Sequence, residues 1–119
     1  MIKQLTKAEE QIMQVLWKQE KAYLKDIIDN LPQPTPHSNT VATIVKILIE
    51  KEFVGHEVHG RNHCYFPIIS KQDYSQNSIT NLVENYFEGS FTNAVSFLID
   101  KKKLDISDVE LLLNQLKSN

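Results

Sequence analysis

The chain has 119 residues, 41% hydrophobic and 24% charged, which suits one small globular domain or two lobes that need a partner. Thirteen Lys and Arg against fifteen Asp and Glu leave a net charge of −2, so no overall basicity points to a polyanion. No apolar run could span a bilayer, the opening Met1-Ile2-Lys3-Gln4-Leu5-Thr6 lacks the apolar stretch of a secretory signal, and a single cysteine, Cys64, excludes an internal disulfide. The expected compartment is the reducing cytoplasm, with no membrane partner.

Thr6-Lys7-Ala8-Glu9 reads as a capping box that opens a first helix. Ala8, Ile12, Val15 and Leu16 then share one helical face, and the helix runs to about Trp17 or Lys18. Residues 19–22 read as a short polar connection. Leu24, Ile27, Ile28 and Leu31 keep the spacing of a second amphipathic helix. Pro32, Pro34 and Pro36 end it, because each ring removes a donor and favours extended backbone before it.

A third helix is expected from Ser38, a good N-cap residue. At about 100° per residue, Val41, Ile44, Val45, Leu48 and Ile49 cover one face. Asn39, Thr43, Lys46 and Glu50 lie opposite, flanked by Thr40, Ala42 and Ile47. A solvated face usually carries Glu and Lys; here short Asn and Thr side chains fill the first two turns. Phe53–Val58 and His63–Pro67 are β-prone runs, and His59-Gly60-Arg61-Asn62 between them supplies hairpin-turn residues.

The rest is predicted helical from Ser70-Lys71-Gln72-Asp73 onward. Ile79, Leu82, Val83 and Tyr86 form one apolar stripe and Phe91, Ala94, Val95 and Leu98 another, with Gly89 as a helix stop between them. Ser107-Asp108-Val109-Glu110 reads as a capping box before Leu112, Leu113 and Leu116. So much apolar surface in residues 71–119 has too few local partners, and stripes of this kind usually bury against a second copy.

Three helices followed by a hairpin within 70 residues is the order of a winged helix-turn-helix. Helix three fits a major groove about 12 Å wide, and its short polar side chains reach base edges without steric conflict. Arg61, the only arginine, sits at the hairpin tip, where guanidinium suits a narrow groove or a bidentate phosphate contact. Residues 1–70 hold eight basic and eight acidic side chains, so any anion-binding surface there is a local patch. The same fold also serves protein–protein contacts, and an interaction module without DNA binding is the alternative.

Thr6-Lys7-Ala8-Glu9-Glu10-Gln11-Ile12-Met13-Gln14-Val15-Leu16-Trp17 resembles the opening of the penicillinase-repressor family of winged-helix transcriptional regulators. Asn39-Thr40-Val41-Ala42-Thr43-Ile44-Val45 resembles that family's recognition helix. Glu50–Val54 with Gly60-Arg61 and Tyr65-Phe66-Pro67 resembles its wing, and Phe87-Glu88-Gly89-Ser90-Phe91 its dimerisation tail. The resemblance implies a mainly α fold with a small β-hairpin wing. It divides the chain into a winged-helix DNA-binding domain, residues 1–70, and a C-terminal helical dimerisation region, residues 71–119. It implies a homodimeric repressor on double-stranded, pseudo-palindromic operator DNA, read by Asn39, Thr40, Thr43 and Lys46 with Arg61 on the wing.

The sequence also departs from the family. Ala42 and Ile47 stand where basic residues are common. Glu52 stands where Gly usually follows helix three, so it must either take a left-handed backbone at a cost of about 1 kcal/mol or end the helix differently. The tail has none of the cysteines of the copper-responsive branch. The resemblance brings in a signalling protease as a further partner, yet Phe97-Leu98 occupies the place of the Asn-Phe pair cut in the β-lactam-responsive branch.

No cofactor, metal or enzymatic activity is expected. Zinc needs three or four ligands converging on one point, whereas His63 and Cys64 are adjacent on a strand, point to opposite faces and do not readily share an ion or form a dyad. No phosphate loop, nucleophile elbow or paired-carboxylate motif occurs.

Overall fold

The computed structural model describes residues 2–103 and 105–117; the side chains of 112, 113 and 115–117, including the expected Leu112, Leu113 and Leu116 stripe, lie outside that description. Thr6 and Glu9 form the predicted capping box: the Glu9 amide donates to Thr6 Oγ1 at 3.2 Å and the Thr6 amide to Glu9 Oε1 at 2.7 Å. Helix α1 spans Lys7–Gln19. Its inward face is Ile12, Met13, Val15 and Leu16; Ala8, expected there, is exposed. Glu9 takes the inward position instead and is only 4% exposed.

The expected polar connection contains a strand. β1 (Ala22–Tyr23) pairs antiparallel with β3, Ala22 opposite Tyr65 and Tyr23 opposite Cys64. Two residues carry no readable period, and this strand exists only because β3 offers an edge. α2 (Leu24–Asp29) follows at once, with Asp26 accepting from the Tyr23 amide at 3.1 Å. α3 spans Ser38–Glu50. Its N-cap is His37, not Ser38: Nδ1 of His37 accepts from the Asn39 amide at 3.1 Å. An acceptor nitrogen does here what a hydroxyl usually does.

The end of α3 is a Schellman motif. The Glu52 amide donates to Ile49 O at 3.0 Å and the Phe53 amide to Leu48 O at 2.9 Å. Glu52 sits at the left-handed position with φ 65°, the conformation for which the sequence offered no glycine. Phe53 then drops into the core. β2 (Val54–His59) and β3 (Asn62–Pro67) form the hairpin, His59 opposite Asn62. The turn is therefore the two residues Gly60-Arg61 and not four, with φ +66° at Gly60. Strand order in the sheet is β1-β3-β2.

One core joins these elements: Ile12, Met13, Leu16, Ile27, Val41, Val45, Leu48, Phe53 and Val54 are all buried. α4 (Lys71–Tyr86) contributes Tyr74, whose ring meets Phe53 and Trp17, each at 5.8 Å between ring centres. Tyr74 also accepts from the Leu5 amide at 3.1 Å, and the Trp17 indole N–H donates to Ile69 O at 2.9 Å. The carboxylate of Glu9 meets Lys51 Nζ at 2.8 Å, which ties the start of α1 to the end of α3. Burial would raise the Glu9 carboxyl pKa, but hydrogen bonds from Lys51 and Thr6 and the Lys51 charge outweigh it and hold the group below the usual carboxylate range.

The chain divides into two compact units, Met1–Asn77 and Ser78–Asn119. In the second, α5 (Phe91–Asp100) begins with Ser90 Oγ accepting from the Asn93 amide at 3.1 Å, and α6 spans Ile106–Lys117. Ser107, expected to cap this helix, lies inside it; the Asp108 carboxylate instead accepts from the Asp105 amide, two residues before Ser107, at 3.1 Å. Phe87 and Phe97 meet at 5.6 Å.

Candidate nucleic-acid interface

α3 buries Val41, Val45 and Leu48, which fixes its rotation. Asn39, Thr40, Thr43 and Lys46 consequently all face solvent. They begin at the N-terminal end of the helix, the end that a helix-turn-helix presents to base edges. Ala42 and Ile47 are also exposed, so the face combines amide, hydroxyl and methyl groups with one cation. Thr43 Oγ1 donates to Asn39 O at 2.9 Å. Its proton is thus engaged within the helix, leaving the oxygen as an acceptor for a base amino group and the methyl for a thymine methyl. Lys46 has no ion pair among the described residues.

Arg61 is exposed at the turn and likewise has no carboxylate partner among the described residues. It borders a cleft of about 450 Å³ between the wing and the start of α2, lined also by Tyr23, Lys25, His63 and Tyr65. Lys25 was not singled out from the sequence, where one more lysine on an amphipathic helix gives no signal.

The wing tip is braced from below. Tyr23 Oη meets His59 Nδ1 at 3.1 Å, and His59 Nε2 meets Glu57 Oε2 at 3.1 Å. A carboxylate can only accept, so in the neutral ring the proton sits on Nε2 and Nδ1 accepts from the tyrosine. Lys21 Nζ approaches Glu57 at 3.3 Å from the other side. The His59 hydrogen bond first, then Lys21, lowers the Glu57 carboxyl pKa. This chain couples β1 to the hairpin and was invisible without β1. On the strands Cys64 is buried and His63 exposed, so their opposite facing holds, and among the described residues no three His, Cys, Asp or Glu converge on a metal position.

A recognition-type helix with a polar outer face, seated on a three-helix core beside a two-stranded wing, defines a winged-helix DNA-binding protein of the helix-turn-helix type. The family model for the penicillinase repressor matches residues 5–118. The chain belongs to that family. It is 24% identical to the penicillinase repressor of Bacillus licheniformis over 119 residues, covering 99% of this chain and 93% of that one. It is 22% identical to the methicillin resistance regulatory protein MecI of Staphylococcus aureus (strain N315) over 114 residues, covering 95% and 93%. Among solved structures it is similar to monomeric BlaI of Bacillus licheniformis in complex with the blaP half-operator. That match has a TM-score of 0.53 and 31% identity, over 62% of this chain and 92% of that one. No helix among the described residues is long and apolar enough to cross a membrane.

Proposed function

We propose that this protein is a transcriptional repressor that binds operator DNA through α3 and the wing. The observation that carries the reading is the outer face of α3, where Asn39, Thr40, Thr43 and Lys46 are exposed together and Lys46 has no ion pair among the described residues. Family membership and the operator complex of a similar protein support it. In this reading Asn39, Thr40 and Thr43 read bases, Lys46 and Arg61 meet phosphates or the adjacent minor groove, and the protein acts by occupancy without catalysing a reaction.

Residues 1–70 carry DNA contact and residues 71–119 dimerisation on a pseudo-palindromic site. Exposed Ile79, Leu82, Tyr86, Phe91 and Phe97 supply apolar surface that a second copy would cover. The cytoplasm is the compartment such a protein works in. A signalling protease fits as the partner that ends repression, with Ser96, Phe97 and Leu98 exposed on α5, although the pair there is not Asn-Phe.

The test titrates wild type, Thr43→Ala and Arg61→Ala onto operator and random DNA at two salt concentrations, with sedimentation giving the oligomeric state. Thr43→Ala should weaken operator binding by roughly 1–3 kcal/mol and leave random DNA nearly unchanged. Arg61→Ala should reduce the salt slope by about one if it meets a phosphate. If it lies in the minor groove, the loss should depend on flanking A·T content. Equal losses on both DNAs for Thr43→Ala, or a monomeric full chain at micromolar concentration, would overturn the corresponding assignment.

A further inference from the structure

We propose that His56 and His63 form a two-imidazole site for a divalent transition-metal ion on one face of the wing. The hairpin register places His56 opposite Tyr65 and His63 opposite Val58. Side chains of opposed residues share a face, so His56 and His63 are diagonal neighbours across the strand pair, within reach of each other. Their ring centres lie 5.4 Å apart. Both are exposed, and neither has a hydrogen-bond partner among the described residues, unlike His59, both of whose nitrogens are engaged. The Tyr65 ring lies nearly parallel to that of His63, with 6.4 Å between centres and 19° between planes.

The separation suits an ion. With metal–nitrogen bonds of about 2.0–2.1 Å, each imidazole centre stands about 3.2 Å from the metal. Rings 5.4 Å apart then subtend roughly 115° at the ion, near the tetrahedral angle of zinc. No third His, Cys, Asp or Glu joins the pair among the described residues, so water completes the coordination. The expectation of no metal rested on the three or four converging ligands that zinc needs and on Cys64 facing away from His63; this pair supplies two protein ligands without Cys64 and leaves the rest to water. Bridging β2 to β3 would fasten the wing and add two positive charges close in sequence to Arg61.

The test is titration of the full-length protein with Zn2+, followed by NMR of the imidazole ring protons. Only the His56 and His63 signals should move, together and to a 1:1 end point, and Mg2+, which prefers oxygen ligands, should move neither. His56→Ala and His63→Ala should each weaken Zn2+ binding about tenfold or more through loss of chelation. Both variants alter exposed residues, and metal-free melting curves superimposed on wild type establish their folding. Zn2+ should raise the melting temperature of wild type and of neither variant. Absent shifts at millimolar Zn2+, equal affinity in the single variants, or signals moving first at His37 or His59 would overturn the site.

Discussion

Replacing Glu52 by glycine should stabilise the protein. Glu52 occupies the left-handed position of the Schellman motif with φ 65°, and its side chain is exposed with no ion pair among the described residues. A non-glycine residue there costs about 1–2 kcal/mol in contact between Cβ and the carbonyl. Glycine removes that cost but frees the unfolded chain, returning roughly 0.4–1 kcal/mol. The net gain is about 0.5–1 kcal/mol, or roughly 2–4 °C in melting temperature for a chain of this size. Urea and thermal denaturation at one fixed protein concentration would measure it, since self-association would otherwise shift the midpoint. Glu52→Ala is the control, because alanine keeps the Cβ and should gain nothing from the backbone. A Glu52→Gly variant no more stable than wild type, or an equal gain in Glu52→Ala, would refute the backbone argument; the second result would assign the effect to lost charge.

Two further outcomes follow from the core and the sheet. The Glu9 carboxyl pKa is lower folded than its unfolded value of 4.5, so its contribution is present above that pH and is lost as pH falls through the lower, folded value. Glu9→Gln should cost roughly 1–2 kcal/mol at neutral pH, discounted because Lys51 is partly exposed, and should flatten the acid limb of a stability–pH curve; an unchanged slope would separate Glu9 from that limb. A Cβ at Gly55 would lie 2.5 Å from Phe66 Cζ, so Gly55→Ala should cost about 1–3 kcal/mol. Much of that cost should vanish when Phe66→Ala is added, and additive losses in the double-mutant cycle would disprove the clash.

Periodic and locally capped features are legible in the sequence. The Thr6–Glu9 box, the proline stop after α2 and the buried face of α3 each follow from residues close together in sequence; at Glu52 the family resemblance left a left-handed residue or a different helix end open, and the structure takes the first. What escaped depends on distant partners. β1 is two residues long and is a strand only against β3. Tyr74 looks like one more aromatic on a tail helix, yet it completes the core between Trp17 and Phe53. Glu9 shares the inward face of Met13 and Leu16, with Ala8 outside it, and the charge buried there is met by Lys51, 42 positions away. The outer face of α3 could be read from periodicity, whereas the Thr43 hydroxyl bond to Asn39 O and the cleft beside Arg61 required the fold.

Trp17 is the only tryptophan in the chain, and its indole is both hydrogen-bonded to Ile69 O and set against the Tyr74 ring. It therefore stands where α1 meets the segment leading from the wing into α4. The molecule carries its own optical reporter: emission colour follows the polarity around the indole, and transfer from Tyr74 follows the separation of the two rings. Loosening of α4's first turns from α1 would register in the fluorescence spectrum, without a label, even while the helix content of the chain stayed constant.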